Sequence, residues 1–141
     1  FYDTTSSVCG ETGIGDAERN LVLRLAMKCC DFSHAFQSFE QHKLWSERVV
    51  EEFCQQGDKE LLEGYTPAGL FDRKSLSPVS MAKNQAAFLD IIVIPLFELM
   101  AELLPATTPM LEQIRTNSSC WKNQASLRSS SNAASTLKSS T

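Results

Sequence analysis

The stretch "AAFLDIIVIPLFELMAELL", Ala86 to Leu104, decides what kind of protein this is. Its length and apolar content would suit a membrane span. Asp90, Glu98 and Glu102 interrupt it, however, and an Asp-like charge at the bilayer centre costs roughly 2.5–3.5 kcal/mol. At about 100° per residue the three acids fall within an arc of about 120°. The segment therefore predicts an amphipathic core helix of a soluble protein, from about Val79 to Leu104, with Pro95 as its kink.

Upstream, "GYTPAGLFDRKSLSP" from Gly64 to Pro78 holds two prolines and two glycines and reads as an irregular connection. Before it, "FQSFEQHKLWSERVVEEFCQQ", residues 36–56, predicts a helix that Gly57 and Asp58 break or kink ahead of a short "DKELLE" turn. Asp16 is placed to cap a first helix through "AERNLVLRLAMKCCDF", where Leu21, Leu25, Cys29 and Phe32 share a side. A short fourth helix is expected from Pro105 to about Thr116. No segment alternates with period two for long enough to form a strand.

Residues 1–16 read as loop; "GETGIG" has the order G-x-x-G-x-G with no strand pattern before it, so it is not a phosphate-binding glycine loop. After Trp121 the chain is serine-rich and poor in apolar residues, which predicts a disordered tail. Serines beside Arg128 are either phosphorylation sites or plain solvated residues. The expected architecture is an all-α multi-helix bundle over residues 17–121, with an irregular segment over 1–16 and a tail over 122–141.

At 141 residues and 43% hydrophobic content the chain suits one packed domain. Its net charge is −4, and because only Lys122, Arg128 and Lys138 are charged after Trp121, the residues up to Trp121 carry −7, that is −4 less the tail's +3. That balance argues against nucleic acid as a partner. The five cysteines form no CxxC pair, and adjacent Cys29 and Cys30 could bridge only with strain, so a reducing, cytoplasmic compartment is expected. "FYDTTSSVCG" has neither a secretion-signal pattern nor an initiator Met, and is expected to be a cut inside a longer chain.

Asp31, in "LAMKCCDFSH", ends the first helix, where the negative end of the backbone dipole disfavours an acid by a few tenths to about 1 kcal/mol. A cation should compensate it. Arg24, Lys28 and Asp31 share one face, so a surface Lys28–Asp31 pair is one answer; a bound metal is the other. His34 and His42 lack the spacing of a helical zinc site. In the second helix His42, Trp45, Val49 and Phe53 form an aromatic and apolar stripe of the kind that usually faces a core. Gln85 and Phe88 lie one turn apart: the amide could offer a donor and an acceptor to a purine edge and the ring could stack on it, or the amide could bond a neighbouring backbone group.

In order, "KCCDFSH", "LWSERVVEEFCQQGDKE", "FDRKS" and "NQAAFLDIIVIPLFE" resemble the C-terminal half of the class I cyclic nucleotide phosphodiesterase catalytic domain, over about residues 21–121. The resemblance implies that fold. It implies Asp31 as a metal ligand, Gln85 as the purine-bonding amide and Phe88 as the ring clamp, with Val49 opposite. It further implies Phe53, Leu70 and Trp45 as pocket residues, His34 and His42 near the base, and Glu51, Glu52, Gly57, Asp58 and Asp72 as mainly structural.

The implied activity is hydrolysis of cAMP or cGMP to the 5′-monophosphate at Zn2+ and Mg2+ (or Mn2+) in signal transduction. The general-acid histidine of the H-N-x-x-H motif and the H-D ligands are absent from this chain and expected upstream. No catalytic residue is therefore assigned here, and the chain alone is expected to be inactive. Its partner would be the cyclic nucleotide, with a possible homodimer of the full-length protein. The alternative is a non-catalytic helical interaction module derived from the same fold. Residues 35–39 and the span from Asp72 to Gln85 depart from the family pattern, the latter by extra length, so an unusual loop over the pocket is expected.

Overall fold

The computed structural model describes residues 15–138, with side chains placed through Ser129. The described chain is all-α. Helix α1 spans Asp16–Asp31, α2 Phe39–Leu62, α3 Pro78–Phe88, α4 Ile94–Leu103 and α5 Thr108–Lys138, with 3₁₀ turns at Ser33–Phe36 and Pro105–Thr107. No strand occurs among the described residues. No helix among them is long and apolar enough to cross a membrane. Most of the irregular segment expected at 1–16 lies outside the described residues.

The helix around Ala86–Leu104 forms as its sequence predicts, with α3 and α4 joined by one π turn over Leu89–Val93. Pro95 explains the turn: it has no N–H to donate and its ring would crowd the carbonyl four residues back, and a widened turn relieves both. Two of the three acids of the polar stripe find partners on α5. Asp90 bonds Lys122 at 2.7 Å and Ser118 at 2.6 Å, and Glu98 bonds Arg115 at 2.8 Å. The side of this helix next to the stripe supplies Leu89, Val93 and Phe97, which join Ile114 and Trp121 in the core.

Three expectations from the sequence give way. The first helix is capped by Gly15, whose N–H donates to the Glu18 carboxylate at 2.9 Å, and Asp16 lies inside the first turn. Helix α2 runs through Gly57 and Asp58 to Leu62. Gly57 is there for close approach, since a Cβ on it would lie 2.1 Å from the Phe71 carbonyl oxygen. The helix ends instead at Gly64, with φ 86°, in a Schellman arrangement: Tyr65 N–H bonds Glu60 O at 2.9 Å and Gly64 N–H bonds Leu61 O at 3.1 Å.

The third concerns the C-terminus. Neither a short helix ending near Thr116 nor a disordered segment beginning at Lys122 describes it, because α5 is continuous to Lys138. Leu111, Ile114, Ser118, Trp121 and Ala125 are buried along one side of it, and α5 packs mainly against α3. The connection between α2 and α3 is irregular, as expected. It ends at Ser77, whose Oγ accepts from Ser80 N–H at 3.0 Å ahead of Pro78 in the first turn of α3.

Candidate functional site

Asp31 closes α1, and the chain then turns through Ser33–Phe36 into α2. This corner and the first turns of α2 enclose a hollow of about 390 Å³ lined by Asp31, Ser33, His34, Gln37, Gln41 and Trp45. The Asp31 side chain is 60% exposed and meets Lys28 at 3.9 Å. The surface pair that the spacing allows is therefore present. It is long and solvated, so it leaves the carboxylate oxygens open toward the hollow.

Asn117 holds the corner in place. Its Nδ2 donates to Ala35 O at 2.8 Å and to Gln37 O at 2.9 Å, while its Oδ1 accepts from Gln113 at 3.1 Å. Ala35 is fully buried. His34 and His42, eight residues apart, stack with ring centroids 5.1 Å apart, their Nδ1 atoms 3.1 Å from each other. His42 is completely buried, and its Nε2 accepts from Trp121 Nε1 at 2.9 Å. Burial, and then the neighbouring His34, pull the His42 pKa down to about 4. Burial lowers that of His34 too.

The buried side of α2 is His42, Ser46, Val50, Cys54 and Gly57. The stripe of Trp45, Val49 and Phe53 thus stands one residue off the core, on the shoulder of the helix, and only His42 of that stripe is interior. Trp45 is 48% exposed beside Arg48, whose guanidinium lies 5.2 Å from the indole centroid. Phe53 packs on Phe71 with centroids 5.1 Å apart, next to the exposed Leu70.

On α3, Phe88 meets Phe32 edge-on at 5.5 Å, so its ring is tied to the residue directly after Asp31. Gln85, one turn earlier, is half-buried, and its carboxamide bonds no protein group among the described residues. The structure therefore gathers Asp31, His34 and Trp45 around one hollow, with His42 behind it. Gln85, Phe88, Val49, Phe53 and Leu70 are not on its wall.

A model of the 3′,5′-cyclic nucleotide phosphodiesterase family matches residues 6–114. The chain belongs to that family.

The chain is 30% identical over 109 residues to the 3′,5′-cyclic-AMP phosphodiesterase 4C of Mus musculus, covering 77% of this chain and 16% of that protein. It is 32% identical over 113 residues to the cGMP-specific 3′,5′-cyclic phosphodiesterase of Drosophila melanogaster, covering 79% of this chain and 10% of that protein. The solved structure of LmjPDEB1 in complex with IBMX superposes with a TM-score of 0.70 at 27% identity, over 77% of this chain and 32% of that one. The chain thus spans a sixth or less of the length of these curated relatives.

Two residues that the resemblance implies to be structural, Glu51 and Asp58, are held in one clamp. Arg73 donates to both Glu51 oxygens, at 2.7 and 2.9 Å, and to Asp58 at 3.1 Å, so the loop after α2 is tied back to that helix. Hydrogen bonds from Arg73, and then from Gln55, hold the Glu51 carboxyl below the usual carboxylate range.

Sequence reasoning passed over Phe32, Asn117 and Trp121 as parts of the site. A signal existed for Trp121, because a buried indole N–H needs an acceptor and only two histidines were available to face an aromatic wall. Nothing local could pair Asn117 with Ala35, since 82 residues separate them.

The metals that the resemblance implies would find one carboxylate here, Asp31. Its open oxygens and its place at a helix end fit one ligand position. Among the described residues no three His, Cys, Asp or Glu side chains gather into a metal site.

Proposed function

We propose that this chain is the base-binding part of a metal-dependent 3′,5′-cyclic nucleotide phosphodiesterase that hydrolyses cAMP or cGMP, and that it contributes one metal-binding carboxylate, Asp31. One observation carries the reading. Gln85 is a half-buried amide left without a protein partner, one turn from a Phe88 ring that packs on Phe32, beside Asp31. Its amide atoms reach solvent and are not spent on the fold, so they are free to meet a ligand. A base bonded to Gln85 and stacked on Phe88 would carry its cyclic phosphate toward the Asp31 end.

Asp31 would hold the metal, and the open hollow beside it leaves room for the phosphate. When bound, the metal pair supplies an activated water and offsets phosphate charge. His34, Gln37 and Gln41 add polar groups to the same wall. One carboxylate cannot hold zinc by itself, so the remaining ligands and the general acid must come from other segments of the full-length protein, and the 141-residue chain alone should not turn over nucleotide.

The test is an assay of cAMP and cGMP hydrolysis by the full-length protein with Zn2+ and Mg2+, beside Asp31→Ala. Turnover that falls by orders of magnitude in the variant supports the reading. Turnover retained within a factor of a few would remove Asp31 from the metal site.

A further inference from the structure

We propose that the apolar face shared by α1 and α4 seats a helical segment of the full-length protein that lies outside these 141 residues, and that this segment brings an acid to Arg24. The inference takes from the phosphodiesterase reading only that the chain is part of a longer polypeptide. It needs no catalytic activity.

Helix α1 is apolar round most of its circumference. Leu25 and Cys29 are buried, and the helix rests mainly on α4. On its other sides Leu21 is 68% and Met27 65% exposed, and Leu23 is bare as well. A helix apolar on every side belongs in an interior.

Between α1 and α4 runs a groove of about 600 Å³, walled by Leu21, Val22 and Leu25 on one side and by Leu99 and Leu103 on the other. A second hollow of about 420 Å³ lies over Leu23 and Met27. Arg24 and Lys28, one turn apart, line both, so a cationic ridge divides two apolar troughs. Lys28 has Asp31 at 3.9 Å, whereas Arg24 has no ion pair among the described residues.

The ridge of one helix seats in the groove of its neighbours. The occupant that fits this face is therefore a helix with apolar residues one turn apart and a carboxylate against Arg24. The chain amounts to 16% and 10% of two curated relatives and 32% of the solved one, so most of a protein of that length lies elsewhere and can supply the segment. A second copy fits less well, since pairing through this face would bring two Arg24–Lys28 ridges into one interface.

The test places a benzophenone-bearing phenylalanine at Leu103 of the full-length protein, irradiates it, and identifies the joined peptides by mass spectrometry. The expected product is a link within one molecule to a segment outside these 141 residues that is apolar and carries Asp or Glu. A link between two molecules would assign the face to a second copy, and one to residues 1–14 would assign it to the start of this chain. Either overturns the proposal, as does the absence of any protein link.

A second measurement stands if the bulky residue prevents folding. Leu21→Cys and Leu103→Cys should each be alkylated at least roughly tenfold more slowly in the native full-length protein than in urea, because the cover must open first. Arg24→Glu should speed native alkylation of Leu103→Cys by roughly fivefold, about one hydrogen bond's worth, and Arg24→Lys should not. Rates equal to those in urea would show the face open, and protection that appears only with added lipid vesicles would give it to a membrane; both overturn the seat. No effect of Arg24→Glu would remove the acid. Full-length protein that shows the link and turns over neither cAMP nor cGMP would sink the phosphodiesterase reading and leave the seat standing.

Discussion

Gly57 and Phe71 meet backbone to backbone: a Cβ at Gly57 would lie 2.1 Å from the Phe71 carbonyl oxygen and 2.8 Å from its carbon. The loop after α2 can lie flat on that helix only because position 57 has no side chain. In an open helix Gly→Ala would stabilise by up to about 1 kcal/mol. Here the carbonyl is backbone and cannot swing aside, and overpacking of this kind typically costs about 1–3 kcal/mol. Gly57→Ala should therefore lower stability, read as a reduced denaturant midpoint of the full-length protein. An increase would show that the loop moves away freely.

Arg73 holds the other end of the same loop, with a bidentate grip on Glu51 and a further bond to Asp58. All three side chains are about half exposed, so salt should weaken the clamp. Arg73→Lys keeps the charge but not the planar fork. Hydrogen exchange should accelerate in the α2–α3 connection of this variant and stay unchanged in α5. Added salt should move the wild type in the same direction by less. Equal exchange in both proteins would make the clamp incidental.

His42 predicts an acid-sensitive fold. Unfolded, it takes a proton below about 6.5; folded, it resists until about 4. Between those values the unfolded state binds more protons, so stability is full above pH 6.5 and falls as pH drops toward 4. A shift of this size corresponds to a loss on the order of 3 kcal/mol. Burial gives His34 a slope of the same sign. Denaturant unfolding of the full-length protein at several pH values checks it, and a His42→Gln variant, having no proton to gain, should lose most of the slope. An unchanged slope would place the acid sensitivity elsewhere.

How much of this was legible depended on whether the deciding contact was local. The helix through Ile94 and Phe97 could be read because its apolar positions recur within one element and its acids share a stripe. Gly57 could not: a glycine that ends a helix and one that admits a neighbour look alike until Phe71 is placed. The end of α5 was hidden by composition, since Ser118 and Ala125 contribute little apolar signal to the stripe that Leu111, Ile114 and Trp121 begin. Its polar anchor, Lys122 on Asp90, links two helices distant in sequence. Likewise Asp31, Gln85 and Phe88 stand in recognisable motifs, and of the three only Asp31 lies on the wall of the hollow. The His34–His42 stack arises from the turn between α1 and α2, and eight residues of separation give no hint of it.

Gln85 offers the cleanest separation of binding from folding. A half-buried glutamine usually bonds a nearby backbone group, and removing it then costs stability. Gln85 has no such bond among the described residues, so Gln85→Ala removes nothing that the folded protein uses. The melting temperature of the full-length protein should hardly move. If the amide reads the purine edge, two hydrogen bonds are lost with the nucleotide bound, and KM should rise by roughly one to two orders of magnitude. Melting and kinetics measured on the same preparation check both halves. A large drop in melting temperature would mean that the amide is structural after all, and an unchanged KM for both cAMP and cGMP would take the base away from α3.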